Sequence, residues 1–451
     1  MTQAFASLCC VSGEKHRSST NTRVSLTFPL HARPKQGSLK LTAHLPPGAK
    51  TAHRTASPDI REPVPPAAGA DVISLAGANP AAAALDVEGL REAAAHAAKT
   101  SLTTGTLGEY GDSDGYLPLR ELIAERLAGT GIRLDTPQLA MTAGTQQAFD
   151  LVARVLVKPG DCVAVESPGY PGALHAFRFH GADVVPVSSD DEGVKPDALE
   201  AILARQRPVL LHLMPNFTDP TGRVMSLRRR KQVLALARAH RCFIVEDDPF
   251  GELYFHESPP LSMFALANDE ERQWVIHVSS FSKILAPALR LAWLSAPQAF
   301  LRQMAGARQP GDIHTATLTQ LVAFHYLNSG ALEPALSRMR RYYHGQALAM
   351  QRAIKAELAD VPFVAAPPQG GMFYWADVPG IDTETLLETA VRHGVAYVPG
   401  AVFYAGTPEH SRLRLSFAGV SAEQIGEGIR RLAQRIRSAR ADGKARIAGV
   451  R

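Results

Sequence analysis

A lysine, three serines and an arginine lie close together past the middle of the chain. Lys283 ends the run Ser279-Ser-Phe-Ser-Lys, and Arg290 follows seven residues later. A lysine amine can form a Schiff base with an aldehyde, while serine hydroxyls and a guanidinium are suited to hold a phosphate. The grouping therefore favours a lysine joined covalently to a phosphorylated aldehyde cofactor.

Two other segments carry groups that such a cofactor needs. Ala143-Gly-Thr-Gln146 separates a strand-like run from the next helix, where backbone N–H groups and the helix dipole favour an anion. Asp247 and Asp248 come directly after an apolar strand, at the edge where α/β sheets bind ligands. A carboxylate beside a pyridine nitrogen keeps that nitrogen protonated, and a protonated ring accepts electrons better. Asp247 is the predicted partner of the ring, and Asp248 is the alternative.

Composition indicates a globular protein of enzyme size. The 451 residues are 45% hydrophobic and 20% charged, without an apolar run of membrane-spanning length. The four cysteines show neither a disulfide framework nor metal-binding spacing, which favours a reducing compartment and predicts a cytoplasmic location. The 16 histidines lack ligand-like spacing, so no metal site is predicted. Much of the net charge of +5 comes from the two ends, and nucleic-acid binding is not expected.

The order of apolar runs predicts an α/β fold, with a mostly parallel sheet flanked by helices and a smaller α+β domain. Residues 1–65 are basic and lack apolar periodicity, which indicates a disordered extension; a targeting peptide and an overlong start are alternatives. The predicted strands of the sheet are 139–142, 162–166, 183–187, 209–214, 242–246, 275–279 and 291–294, and those of the smaller domain are 370–375, 395–398 and 412–417. The predicted helices include 148–157, 228–239 and a closing helix with Ile425, Ile429, Leu432 and Ile436 on one face.

Eight motifs follow one another along the chain at spacings typical of one enzyme family. They are Leu107-Gly-Glu-Tyr-Gly111, Thr142-Ala-Gly-Thr-Gln-Gln147, Glu166-Ser-Pro-Gly-Tyr-Pro-Gly172, Asp219-Pro-Thr-Gly222, Val245-Glu-Asp-Asp-Pro-Phe250, Ser279-Ser-Phe-Ser-Lys283, Pro368-Gln-Gly-Gly-Met-Phe373 and Arg412-Leu-Arg-Leu-Ser-Phe417. Through them, Asp71 to about Ala433 resembles the fold type I aminotransferases of class I and II, which use pyridoxal 5'-phosphate (PLP). The resemblance is closest to the branch of 2-aminoadipate and broad-specificity aminotransferases, which is similar to the aminotransferase-like domain of GntR-type regulators.

This resemblance implies an architecture and partners. It implies a seven-stranded sheet in a large PLP-binding domain at 106–310, preceded by an N-terminal segment, 66–105, that packs on the small domain. An interdomain helix and the small domain would occupy 311–440, and 441–451 would form a flexible tail. The chain would act on an amino acid and a 2-oxo acid as a homodimer with a shared active site.

Residue roles are implied at the positions that match the motifs. Lys283 would form the Schiff base and move the proton at the substrate α-carbon, and Asp247 would pair with the ring nitrogen. Tyr170 would stack on the ring, while Arg414 would clamp the α-carboxylate of the substrate. The other implied cofactor contacts are Gly144, Thr145, Gln146, Asp219, Phe250, Ser280, Ser282, Arg290 and, from the second subunit, Tyr110. The other implied substrate contacts are Gly77, Tyr110 and Asp219.

Two positions differ from the family pattern, and both concern the phenolic oxygen of the cofactor. The family usually has Asn before Pro-Thr-Gly and Tyr three residues after the ring aspartate, whereas this chain has Asp219 and Phe250. An ionised Asp219 beside a phenolate predicts a raised pKa for the Schiff-base nitrogen. The alternative is that Asn216 or a water molecule replaces the lost donor.

These residues together predict an aminotransferase that moves an amino group from an L-amino acid to a 2-oxo acid. Because the contacts to the phenolic oxygen are altered, a PLP-dependent lyase, cyclase or oxidase of specialised amino-acid metabolism is the alternative. A PLP-binding regulator that lacks its DNA-binding domain is a third hypothesis, and residues 1–65 show no paired amphipathic helices that would favour DNA binding.

The altered contact at Asp219 leads to a spectroscopic prediction. Replacing the carboxylate by an amide in Asp219→Asn removes a negative charge beside the Schiff-base nitrogen, so the pKa of that nitrogen should fall. Absorbance titration of both proteins measures this pKa. An equal pKa in the two proteins would favour the replacement of the donor by Asn216 or water.

Overall fold

The computed structural model describes residues 71–448, and the predicted extension at 1–65 lies outside the described residues. The strands are β1 (Ile73–Ser74), β2 (Leu139–Thr142), β3 (Cys162–Ser167), β4 (Asp183–Asp190), β5 (Gly193–Val194), β6 (Leu210–Leu213), β7 (Phe243–Asp247), β8 (Val275–Ser280), β9 (Ala292–Ser295), β10 (Val364–Ala365), β11 (Phe373–Asp377), β12 (Val395–Ala396), β13 (Val398–Pro399) and β14 (Arg412–Ser416). The helices are α1 (Val87–Thr104), α2 (Leu117–Gly129), α3 (Thr145–Leu156), α4 (Pro171–Phe179), α5 (Pro196–Gln206), α6 (Leu227–His240), α7 (Met263–Leu266), α8 (Asp269–Arg272), α9 (Gln298–Arg308), α10 (Thr317–Asn328), α11 (Leu332–Glu357), α12 (Thr383–Arg392) and α13 (Ala422–Ala448).

The largest sheet of the described residues has eight strands in the order β2-β9-β8-β7-β6-β3-β4-β5. Neighbouring strands from β8 to β4 in this order are parallel, and β9 is antiparallel to both β8 and β2. The predicted number of strands was seven. The additional strand is β5, two residues that fold back as a short antiparallel edge on the end of β4.

The predicted α/β class and the predicted strands of this sheet are confirmed. Helices cover both faces of the sheet, so every residue of β6 and β8 is buried, whichever face its side chain is on. For this reason continuous apolar runs in the sequence identify these strands. The predicted helices at 148–157 and 228–239 correspond to α3 and α6. The strand ends differ from the prediction by up to a few residues, since apolar pattern does not specify where hydrogen bonding stops.

A second, antiparallel sheet has the order β10-β11-β14-β13, and β1 pairs in parallel with β12. Strands β2 to β9 all lie within 106–310, whereas β10 to β14 lie within 311–440. The four isoleucine and leucine residues predicted on one face of the closing helix are fully buried. The helix continues to Ala448, past residue 440 where the predicted tail begins.

One edge of the large sheet collects the segments that carry chemistry. β6, β7 and β8 are parallel, so their carboxyl ends meet at this edge. β2 runs antiparallel to β9, which itself runs antiparallel to β8, so β2 also ends there. The start of α3, the carboxylates after β7 and the lysine after β8 are thereby placed side by side, as is usual for ligand sites in α/β sheets.

Residues 71–448 contain no helix that is both long and apolar enough to cross a membrane. In the same part of the chain, no three His, Cys, Asp or Glu side chains are grouped in a way that would suit a metal ion.

Arg308, at the end of α9, ties the edge of the sheet to two loops. Its side chain is fully buried, and Nη1 donates to the carbonyl oxygens of Met141 at 2.7 Å and Ser113 at 3.0 Å. Nε donates to Asp312 Oδ1 at 2.9 Å, and Nη2 donates to Thr315 Oγ1 at 2.7 Å. Five N–H groups in a fixed fork allow one side chain to satisfy several buried acceptors at once.

Replacing Arg308 should therefore reduce stability strongly. Arg308→Ala removes a donor from the carbonyl oxygens of Met141 and Ser113, leaves Asp312 without its cation and opens a cavity, and the free energy of unfolding should fall by about 3 kcal/mol or more. Arg302→Ala, on the exposed face of the same helix, is the matched control and should change it by no more than about 0.5 kcal/mol. Urea unfolding followed by circular dichroism measures both, and equal midpoints for the two variants would contradict the structural role of Arg308.

Candidate active site

Lys283 lies just after β8 with its amine turned into the cleft between the two sheets. Its Nζ donates to the carbonyl oxygen of Ala78 at 2.7 Å and stands 5.7 Å from the centre of the Phe250 ring. Burial lowers the pKa of Lys283 to about 8, although the Asp219 carboxylate opposes this shift. A lysine with a lowered pKa has a larger neutral fraction near neutral pH, which is the form that attacks a carbonyl.

Asp247, the last residue of β7, is buried with one carboxylate oxygen unsatisfied. Its Oδ2 lies 3.7 Å from His212 Nε2, too far for a hydrogen bond, and Oδ1 has no partner. Burial raises the pKa of Asp247, and His212 opposes that rise. A buried oxygen without a donor is costly, so a cation with an N–H group is the ligand that this position favours.

The start of α3 and the Arg290 guanidinium form an anion cradle. Gly144 precedes α3 with φ of +92°, and a Cβ at this position would overlap Arg290 Nη2. Arg290 makes only long contacts, 3.3 Å to the carbonyl oxygen of Pro287, 3.4 Å to that of Ala143 and 3.5 Å to Ser282 Oγ. Its donors therefore remain available next to the first backbone N–H groups of the helix, including that of Thr145, where a phosphate is stabilised.

Ser280 and Ser282 shape this cradle from the side of β8. The buried Ser280 Oγ donates to the carbonyl oxygen of Leu291 at 3.3 Å and accepts from the N–H of Ser282 at 3.0 Å. Ser282 Oγ faces Arg290. Gln146 does not share this arrangement: its side chain donates to the carbonyl oxygen of Gly172 at 2.9 Å and so connects α3 with α4.

Arg414, in β14 of the second sheet, faces Asp219 from across the cleft. Nη1 donates to both carboxylate oxygens of Asp219, at 2.6 and 2.8 Å, and Nη2 donates to the carbonyl oxygen of Ala76 at 2.8 Å. The guanidinium carbon lies 4.2 Å from the centre of the Phe373 ring, a cation–π distance. Gly77 lies between the two carbonyl groups, Ala76 and Ala78, that accept from Arg414 and Lys283.

Aromatic side chains form the walls of the cleft. Tyr170 precedes α4 and packs 6.4 Å from Phe149, and burial raises the pKa of its hydroxyl, so the ring stays neutral. Phe250 is buried and packs edge-on against Phe373 at 5.7 Å. Phe250 presents a flat apolar surface beside Lys283 and supplies no hydrogen-bond donor to a ring bound there.

Tyr110 is separate from this cluster and points outward. It is 84% exposed, and its ring packs edge-on against His314. Asn216 is also engaged elsewhere, since its Nδ2 donates to Asp248 Oδ2 at 2.9 Å and its Oδ1 accepts from Arg230 at 2.6 Å. Asp248 is thus held within this second network, which leaves Asp247 as the carboxylate with a free oxygen.

Several residues of the cleft were missed by sequence reasoning. His212, whose Nε2 faces Asp247, is a polar residue inside a fully buried strand. A polar residue in such an apolar run could have been identified from the sequence as a candidate for the site. Phe373 and the carbonyl oxygens of Ala76 and Ala78 offered no such signal, because their role depends on contacts between distant parts of the chain.

The residues of the cleft fit a phosphorylated pyridine aldehyde. The free Oδ1 of Asp247 suits a protonated ring nitrogen, and the Gly144–Arg290 cradle suits a phosphate. Lys283 lies beside them as the amine for the aldehyde.

Comparison with known proteins decides the family. The profile described as Aminotransferase class I and II matches residues 70–432. The chain belongs to this family. The predicted fold type I architecture, the transaminase class and pyridoxal 5'-phosphate as the cofactor are thereby confirmed.

Individual relatives support the same assignment. This aminotransferase is 38% identical to the aromatic-amino-acid aminotransferase 1 of Thermococcus litoralis, over 84% of this chain and 91% of the relative. It is also 38% identical to the 2-aminoadipate transaminase of Thermus thermophilus, over 86% and 96% of the two chains. Among solved structures, the α-aminoadipate aminotransferase LysN of Thermus thermophilus, complexed with N-(5'-phosphopyridoxyl)-L-leucine, matches with a TM-score of 0.77 and 37% identity, over 82% of this chain and 94% of that one.

Gly144 provides a test of the phosphate cradle. In Gly144→Ala the new methyl group pushes Arg290 aside, so the dissociation constant of the aminotransferase for its cofactor should rise about tenfold or more. Gly160→Ala is the matched control, because Gly160 has a similar φ of +88° with open space around it. Fluorescence titration of the apoprotein with PLP measures both affinities. Equal affinities would show that this cradle does not hold the phosphate.

Proposed function

We propose that this aminotransferase transfers the amino group of an L-amino acid to a 2-oxo acid, with Lys283 as the residue that binds the cofactor. The observation that carries the proposal is the Lys283 amine, with its pKa lowered to about 8, in one cleft with the unpaired Oδ1 of Asp247. The bound cofactor supplies the electron sink that makes the α-hydrogen of an amino acid acidic.

The protein residues bind, orient and move protons. Arg414 holds the α-carboxylate of the amino acid from the side of the second sheet, and Asp247 keeps the ring nitrogen protonated. Gly144, Thr145, Ser280, Ser282 and Arg290 surround the phosphate. Lys283 Nζ takes the proton from the α-carbon, a step for which a base with a pKa near neutrality is well suited.

We also propose a homodimer in which Tyr110 reaches the cleft of the second subunit. Tyr110 is 84% exposed. Other exposed apolar side chains lie close to it in sequence or at the start of α10, which packs against α1. These are Leu102, Leu107, Ile313 and Leu318. Several exposed apolar side chains close to an exposed tyrosine support a surface that a partner covers. Sedimentation as a monomer at micromolar concentration would contradict the dimer.

A cytoplasmic location is part of the same proposal. Cys162 and Cys242 are free cysteines, and Cys242 is buried in an apolar environment that raises its pKa to about 12. Unpaired thiols of this kind are usual in reducing compartments.

The assignment of Lys283 is tested by trapping the cofactor. Borohydride reduction of the purified holoenzyme should leave a pyridoxyl mass on the peptide that contains Lys283, because reduction makes the bond to the amine permanent. Lys283→Ala should lose this mass and should fall in transamination rate by at least about a thousandfold. Lys231→Ala, which removes an exposed lysine from α6, is the matched control and should retain both the pyridoxyl mass and the transamination rate. Full turnover by Lys283→Ala would refute the proposal.

A panel of L-amino acids then identifies the donor. The panel should contain 2-aminoadipate, phenylalanine, tyrosine, kynurenine and leucine, and the absorbance change of the cofactor in a single turnover ranks them. The alternative lyase, cyclase or oxidase activity is favoured by Asp219 and Phe250, which offer the phenolic oxygen no neutral donor. Transamination consumes one 2-oxo acid for each amino acid, whereas release of ammonia without a 2-oxo acid would establish the alternative.

A further inference from the structure

The Asp219 carboxylate is paired with Arg414, the arginine that we propose binds the carboxylate of the substrate. Asp219 is 3% exposed and Arg414 is 7% exposed, so the pair is shielded from water. Both oxygens of Asp219 accept from Arg414 Nη1, and the carbonyl oxygen of Ala76 accepts from Nη2. Nε is buried without a partner. The positive charge of Arg414 is therefore neutralised before any substrate arrives.

The other charges around Asp219 are committed to the cofactor. Lys283, Asp247 and Tyr170 all sense the charge of Asp219, and Arg290 lies within the same cluster. In the proposed holoenzyme, Lys283 is bonded to the cofactor, Asp247 pairs with the ring nitrogen and Arg290 pairs with the phosphate. Tyr170 is a neutral phenol. Apart from the Schiff-base nitrogen, whose protonation the test measures separately, no cation among these residues remains to balance a further anion beside Asp219.

A substrate carboxylate at Arg414 places a second anion on one guanidinium. Two carboxylates that share one cation in a water-poor site repel each other, and the usual response is that one of them holds a proton. A zwitterionic amino acid avoids this penalty, because its ammonium group can pair with Asp219 while its carboxylate takes Arg414. A simple carboxylate brings no such cation.

We propose that Asp219 makes this cleft select ligands by net charge. A zwitterionic amino acid exchanges partners with the Asp219–Arg414 pair, whereas a monoanionic carboxylate binds only together with one proton taken from solvent. This inference rests on the proposed role of Arg414 as the carboxylate clamp. An amide at position 219, which the family usually has, would leave the charge of Arg414 available and would remove the need for the proton.

The test measures protons directly. The probes are 3-phenylpropanoate, indole-3-propanoate, 4-methylpentanoate and butanoate, which are carboxylic acids without an amino group, and the tightest of them is used. Calorimetric titration of the holoenzyme in two buffers with different heats of ionisation gives the number of protons taken up. The absorbance of the cofactor, recorded in parallel, gives the share of these protons that the Schiff-base nitrogen takes, and this share is subtracted.

The wild-type holoenzyme should take up about one proton per carboxylate beyond that share, and its affinity should fall by about tenfold per pH unit where the uptake is complete. Asp219→Asn should bind the same probe more tightly, with no proton uptake beyond that of the Schiff-base nitrogen and a pH profile set by that nitrogen alone. Glu409→Gln is the matched control, because it removes a carboxylate from Arg412, two residues away on the same strand. It should behave as the wild type does.

The outcomes separate this inference from the proposed function. The role of Asp219 would be overturned if the probe bound without proton uptake beyond the share of the Schiff-base nitrogen, or if Asp219→Asn took up as many protons as the wild type. Either result would leave the proposed role of Arg414 as the carboxylate clamp intact. If none of the probes binds, or if Arg414→Lys binds them as tightly as the wild type, the clamp itself is wrong. The number of protons that the wild-type holoenzyme takes up beyond the share of the Schiff-base nitrogen decides the question even if Asp219→Asn does not fold.

Discussion

The buried ion pair between Asp219 and Arg414 determines how the two sheets meet. Asp219 belongs to the loop after β6 of the large sheet, and Arg414 to β14 of the smaller one. Taking two charges out of water costs on the order of several kcal/mol per ion. Only short, direct contacts between the two ions can offset this cost. The pair therefore holds the loop and the strand at one distance, and the cleft lies where they meet. Phe373 reinforces this contact by packing against the guanidinium.

The remaining polar groups of the cleft divide into those that are satisfied within the protein and those that are not. Asp248 and Asn216 satisfy each other, and Ser280 bonds with the backbone on both sides. Asp247 Oδ1 has no donor, and Arg290 makes only long contacts. Since buried polar groups are nearly always paired in folded proteins, the unpaired Oδ1 of Asp247 supports the proposed position of the ring nitrogen.

Sequence patterns predicted much of this arrangement. The strands of the large sheet were predicted from apolar runs, because helices on both faces make such strands uniformly apolar. Lys283 was identified from its grouping with serines and Arg290, Gly144 from its place before a helix, and Asp247 from its place at the end of an apolar strand, where α/β sheets bind ligands. The prediction failed where a short segment adds to the sheet by hydrogen bonding alone, as β5 does, since two residues are too few for an apolar pattern. The side chain of Gln146, which was predicted to contact the cofactor, bonds with α4, and its contact with the cofactor stays a prediction.

The sequence by itself determined the order of the motifs, the α/β class and the identity of the amine and carboxylates at the sheet edge, because these depend on local periodicity and on neighbouring residues. Only the tertiary structure decided which partner each charged group has. Asp219 and Arg414 are 195 residues apart in the chain, so their pairing depends on how the two sheets pack. The family resemblance predicted Asp219 beside the phenolic oxygen of the cofactor and Arg414 as the clamp of the substrate, and the fold shows that these two side chains face each other. Electrostatic pairing depends on distance in space, and spacing along the chain does not contain that information.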